Sequence, residues 1–118
     1  MKILTIVLLF ILGSTVGDVS GNWNGSFRVD GGDHDVPQLL LLKEDGAKLT
    51  GTGGPDENER YPISNGQVNR DRVTFELTTG DWKFFYDLKN SGLQMSGKLL
   101  LKSANDNRSA AVTLKKTK

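Results

Sequence analysis

Leu42-Lys43-Glu44-Asp45-Gly46-Ala47-Lys48-Leu49-Thr50-Gly51 and Leu88-Lys89-Asn90-Ser91-Gly92-Leu93-Gln94-Met95-Ser96-Gly97 follow one plan at an offset of 46 residues. Each reads as the end of a strand, a tight turn with glycine where a positive φ is favoured, and the start of the returning strand. The chain thus states one β-hairpin unit twice. Leu42 with Leu49, and Leu88 with Met95, are the apolar positions flanking the turn, and Gly51 and Gly97 follow two residues later. These leucines and the methionine define an inward face. Successive side chains of a strand point to opposite sides, so a period of two assigns the remaining positions.

Outward from the repeat, Gly21 to Val29 alternates, with Trp23, Gly25, Phe27 and Val29 on one face and Asn22, Asn24, Ser26 and Arg28 on the other. This predicts a half-buried first strand. Turn formers from Asp30 to Asp35 and then Pro37 separate it from a second strand, Gln38 to Glu44. There Leu40 and Leu42 face the core, which leaves Leu39 and Leu41 outside. The third strand runs from Lys48 to Thr52 and ends in Gly53-Gly54-Pro55, with a polar loop from Asp56 to Arg60. Asn65-Gly66 is either a bulge within a fourth strand that starts near Tyr61 or a hairpin tip. Arg72 to Thr79 points Val73, Phe75 and Leu77 inward; after the Gly80-Asp81 turn, Trp82, Phe84, Tyr86 and Leu88 do the same, leaving Phe85 outside. The odd positions from Leu93 to Leu101 share the inward face, and Leu100 is outside. After a polar turn over 103–108, a last strand from Ser109 to Lys115 carries Val112 and Leu114 inward. The count is eight strands, or seven if the Tyr61 region is irregular. No window of the stretch after residue 17 shows a helical period with caps.

The first seventeen residues are of another kind. Met1-Lys2 is a short basic start, Ile3 to Leu12 is an uninterrupted apolar run, and Gly13-Ser14-Thr15-Val16-Gly17 are mostly small. This predicts a secretory signal peptide, residues 1–17, cut before Asp18. The run is too short to cross about 30 Å of hydrocarbon as a helix. A bacterial lipid anchor needs a cysteine after the cut, and the chain has no cysteine. The expectation is a secreted or periplasmic domain, residues 18–118, with no membrane attachment after cleavage. Without disulfides it must rest on its apolar core, which favours a regular closed architecture. The full chain carries a formal net charge of +1. Lys2 supplies it, so the remainder is balanced and has no electrostatic case for nucleic acid.

Short antiparallel strands in sequence order, each joined to the next by a short connection, avoid exposed edges by closing. The predicted fold class is therefore all-β, an antiparallel up-and-down eight-stranded barrel. Its interior is just wide enough to be filled by side chains or to hold one small ligand. The Gly21-Asn22-Trp23-Asn24-Gly25 start and the repeated Gly-x-x-Leu/Met-Thr/Ser-Gly units resemble the calycin-like small barrels, the group of lipocalins, fatty-acid-binding proteins and avidins. With the Pro62 to Val68 segment, the texture is most similar to that of secreted barrel domains of soil bacteria. Avidin-type biotin binders share a Gly-x-Trp start, a Thr-Gly-Thr and a Trp-Lys-Phe, here Gly21 to Trp23, Thr50 to Thr52 and Trp82 to Phe84. The tyrosine that follows Thr-Gly-Thr in that family is Gly53 here, and Leu99-Leu100-Leu101 lacks the family's late tryptophan. The resemblance therefore implies a barrel and not a biotin site.

For chemistry, the sequence offers little that is catalytic. There is no cysteine and no Gly-x-Ser-x-Gly elbow. The single histidine, His34, sits between Asp33 and Asp35 in a glycine-rich loop, and no closing Glu of a calcium loop follows before Glu44. No catalytic residue, metal ligand or cofactor is assigned. The inward aromatic set, Trp23, Phe27, Phe75, Trp82, Phe84 and Tyr86, either fills the barrel as a packed core or surrounds a small apolar or aromatic ligand. The outward set, Leu39, Leu41, Phe85 and Leu100, suggests a protein contact, with a second copy or with a secreted enzyme that the barrel inhibits. The expectation is a non-catalytic binding module, with an interaction barrel as the alternative.

Overall fold

The computed structural model describes residues 18–117; the signal-peptide reading of residues 1–17 lies outside them. The described chain is all-β. In order, the strands are β1 (Gly21–Val29), β2 (Val36–Asp45), β3 (Lys48–Asp56), β4 (Glu59–Pro62), β5 (Ser64–Asn69), β6 (Arg72–Thr79), β7 (Trp82–Asn90), β8 (Gln94–Lys102) and β9 (Asn107–Lys116). Every pairing is antiparallel; all but β3 with β5 and β1 with β9 join neighbours in the chain, and β1 against β9, from Trp23 opposite Lys116 to Val29 opposite Ala110, closes the ring. The result is a closed eight-stranded barrel with one extra strand, because β4 and β5 lie one after the other along β3.

The repeated hairpin is built as it reads. Leu42 pairs with Gly51 and Glu44 with Leu49 in the first copy; Leu88 pairs with Gly97 and Asn90 with Met95 in the second. Leu42, Leu49, Leu88 and Met95 are all buried. A Cβ at Gly51 would run into the Leu41 carbonyl oxygen, and one at Gly97 into that of Asp87, so both glycines mark places where strands approach too closely for a side chain.

The turns of the two copies differ. Gly46-Ala47 is a two-residue turn with Gly46 at φ +65°. The second is wider: the Ser91 amide donates to the Gln94 carbonyl and the Gly92 amide to Asn90 Oδ1. Leu93 therefore belongs to the turn and not to the strand, and it is 75% exposed; the inward parity expected for it stops at Met95. Other boundaries shift as well: β2 begins at Val36 and β9 at Asn107, each two residues earlier than expected. β3 continues past Thr52 to Asp56, and the expected loop over 56–60 is a tight turn, held by the Asn58 and Glu59 amides donating to Asp56 Oδ1, which lets β4 begin at Glu59. Asn65-Gly66 is a bulge inside the wall, with Asn65 at φ +51° and a register shift between Ser64 and Gln67.

One end of the barrel is closed by its own N-terminal segment. Val19 is fully buried, its amide donates to Glu44 Oε1 at 3.0 Å, and its carbonyl accepts the Trp23 indole N–H at 2.8 Å. Ser20 Oγ accepts the Glu44 amide, and Lys116 Nζ donates to the Asp18 carbonyl. A buried indole N–H must find an acceptor; the plug provides it, tying the floor of the barrel to β1. Above this floor Leu40, Leu88, Met95, Leu99, Val112 and Leu114 pack around Trp23 and Phe75.

Candidate functional site

The opposite end is open. A cavity of about 190 Å³ lies there among residues of six strands, with Gly54 and Pro55 from β3. β1 contributes Phe27, β2 Val36 and Gln38, and β7 Phe84 and Tyr86; Glu59 and Tyr61 of β4 face Leu77 and Thr79 of β6. This last pair of strands forms a split in the wall. The ladder between β5 and β6 ends at Ser64 opposite Glu76, and β4 pairs with β3 but not with β6. The bulge at Asn65 and the register shift between β3 and β4 from Gly53 to Asp56 flank the place where pairing with β6 stops, and the cavity sits beside that seam.

Two polar pairs anchor the lining. Tyr86 is buried and its hydroxyl donates to Oε1 of Gln38, which is itself 6% exposed; Gln38 Nε2 donates to the Pro37 carbonyl at 3.1 Å. Burial pushes the Tyr86 phenol above the ordinary tyrosine range, so it stays a neutral donor. Phe75 stacks beneath Tyr86 with centroids 4.4 Å apart and planes at 17°, an arrangement that contributes about 1 kcal/mol beyond its buried area. At the rim, the Tyr61 hydroxyl donates to Glu59 Oε2 at 2.6 Å, and that bond raises the Tyr61 phenol above its ordinary value. Phe27 and Phe84 meet edge to face, 6.3 Å apart at 77°.

The six inward aromatics therefore divide. Phe27, Phe84 and Tyr86 line the cavity. Phe75 supports it from below, and Trp23 belongs to the floor. Trp82, half-buried beside the Gly80-Asp81 turn, packs against the core without lining the cavity. Packed core and open cup are both present, in opposite halves of one barrel. The four outward apolar residues are not brought together. Phe85 sits directly opposite Leu100 on β7 and β8, while Leu39 and Leu41 lie on β2, with β1, β9 and β8 between β2 and β7. Lys83 and Lys102 place their Nζ atoms 6.0 and 5.6 Å from the Phe85 ring centroid, so lysine stems cover much of that pair.

Val36, Gln38, Gly54, Pro55, Glu59, Tyr61, Leu77 and Thr79 complete the lining, and the sequence reading assigns none of them to a site. Gln38 had a usable signal, since it shares the parity of Leu40 and Leu42, and Leu77 reads as inward; Glu59 had none, because 56–60 reads as a polar loop, and Tyr61 reads only as the start of a fourth strand. His34 Nδ1 and Asp33 Oδ1 lie 3.0 Å apart on an exposed loop, and among the described residues no cluster of three acidic or histidine side chains could hold a metal ion. No family model matches the chain, and no curated protein or solved structure matches it. What the cup can hold follows from its lining. The volume suits a single ring or a compact branched group, since a cavity of about 150 Å³ accommodates benzene. The lining is mainly apolar with a few convergent polar atoms, the usual make-up of a small-molecule site.

Proposed function

We propose that the chain is a calycin-like barrel, secreted or periplasmic, that binds a small, largely apolar ligand in the open end of the barrel without catalysing its conversion. The supporting observation is the aromatic cup itself, a cavity of about 190 Å³ beside a split in the wall and above a fully packed floor. Ligand enters from the mouth or the seam, its apolar body meets Phe27, Phe84 and Leu77, and a polar atom pairs with Tyr86 or Gln38. Protein contact is the lesser reading, since the outward apolar side chains form two separated pairs. The test is an amide chemical-shift titration with a panel of one-ring and branched small molecules of each charge. Shifts clustered on Val36, Gln38, Tyr61, Phe84 and Tyr86, and abolished by V36F with the rest of the spectrum retained, are the expected result. No clustered shift from any member at millimolar concentration would overturn the reading.

A further inference from the structure

Resting on that reading, we infer that the ligand is a small organic cation, an ammonium group carrying methyl or alkyl substituents. Four rings line the cup, Phe27, Tyr61, Phe84 and Tyr86, and among its lining residues the one charged side chain is Glu59. Tyr61 holds that carboxylate at the rim through its 2.6 Å hydrogen bond, so the negative charge is part of the ring wall. Aromatic faces attract a cation through their quadrupole, and the attraction grows when the cation is shielded from water. A bare ammonium or metal ion would lose its hydration to an apolar lining, whereas alkyl substituents bury against it and spread the charge.

The surroundings point the same way. The connections at the open end carry Asp30, Asp33, Asp35, Glu57, Asp81 and Asp106 and no lysine or arginine. The arginines flanking them are turned to other partners: Arg28 to Asp35 at 2.9 Å, Arg60 to the Glu57 carbonyl, and Arg108 to Asp106 at 2.9 Å. Lys83 and Lys102 lie outside the wall on Phe85. Arg28 and Arg108 offset Asp35 and Asp106, so the excess negative charge at this end rests on Asp30, Asp33, Glu57, Asp81 and Glu59; a concave site with such an excess concentrates ligands of the opposite sign. An anionic ligand would meet Glu59 with no cation in the lining to offset it.

Three molecules of one shape separate charge from fit: choline, its neutral isostere 3,3-dimethylbutan-1-ol, and the anion 3,3-dimethylbutanoate. In calorimetric and chemical-shift titrations of the purified protein, choline binds at least about ten-fold more tightly than the alcohol, and the anion more weakly than both. Glu59→Gln, which keeps an acceptor for Tyr61, weakens choline several-fold and leaves the alcohol unchanged. Equal or tighter binding of the alcohol or the anion, with shifts still clustered on the cup, overturns the cation and leaves the cup standing. If choline and its isosteres all fail while other small molecules give shifts clustered on the cup, the cation is likewise overturned; if no member of any panel does, the cup reading itself falls.

Discussion

Alanine at the glycines of the repeated hairpin separates three costs that the repeat itself makes look alike. At Gly46, φ is +65° and nothing lies within 4 Å of an added Cβ. Alanine there meets only the left-handed penalty, about 1–2 kcal/mol, partly offset by about 0.4–1 kcal/mol from a less flexible unfolded chain. At Gly97 the backbone is ordinary but the Cβ meets the Asp87 carbonyl oxygen and lies 2.9 Å from the Leu88 Cα. Opening that pairing costs about 1–3 kcal/mol, as overpacking does elsewhere. Gly51 combines both, with φ at +142° and the Leu41 carbonyl oxygen in the way. Strain of about 1–3 kcal/mol then adds to the clash, for a net of roughly 2–5 kcal/mol against a total stability of about 5–15 kcal/mol. Urea unfolding followed by tryptophan fluorescence should rank the variants G46A, G97A and G51A in order of increasing loss. At about 4–8 °C per kcal/mol for a domain of this size, G51A should lower Tm by about 8 °C or more. If G51A is no worse than G46A, the strands do not approach at Gly51 as described, and the argument for closure there fails.

Two further outcomes follow from the structure. Y86F leaves the buried Gln38 Oε1 without its donor and should cost about 1–3 kcal/mol in urea unfolding, whereas Q38L/Y86F should be more stable than the two single losses summed; a coupling indistinguishable from zero would refute the pair. Arg72 donates to both carboxylate oxygens of Asp87, at 2.9 and 2.7 Å, and holds Asp87 below its ordinary value of 3.8. That contribution is complete above the unfolded value and is lost as pH falls through the lower folded one, so D87N should flatten the acid limb of a stability profile taken from pH 6 to 2. The effect is small, because both side chains are more than half exposed.

Much of the barrel was legible because its signals are local. Alternation in 21–29, 72–79 and 82–88 gives parity directly, and parity is what places Trp23, Phe27, Phe75 and Tyr86 inside. The signal weakens wherever a turn interrupts it. Leu93 has the right parity and the wrong place, since the wider turn of the second repeat takes it out of the strand. The 53–60 stretch failed for the same reason on a larger scale. Its glycines, proline and acidic residues read as a strand end and a loop, yet they form the end of β3, a tight turn and the start of β4, whereas the bulge at Asn65-Gly66 is one of the two readings that the sequence offered.

What the sequence by itself determined is the hairpin unit, the alternating faces, and hence an all-antiparallel barrel of eight strands with an aromatic interior. A period of two needs only the local geometry of an extended chain. What only the tertiary structure decided is how that interior is divided. Whether an inward ring packs or lines a cavity depends on which strands meet at its height, and that is set by register and closure, which no single strand encodes. Val19 folding under Trp23 filled one end, and the unpaired seam between β4 and β6 opened the other. The same closure carried Leu39 and Leu41 to the side of the barrel opposite Phe85, separating residues that the sequence had grouped by parity alone.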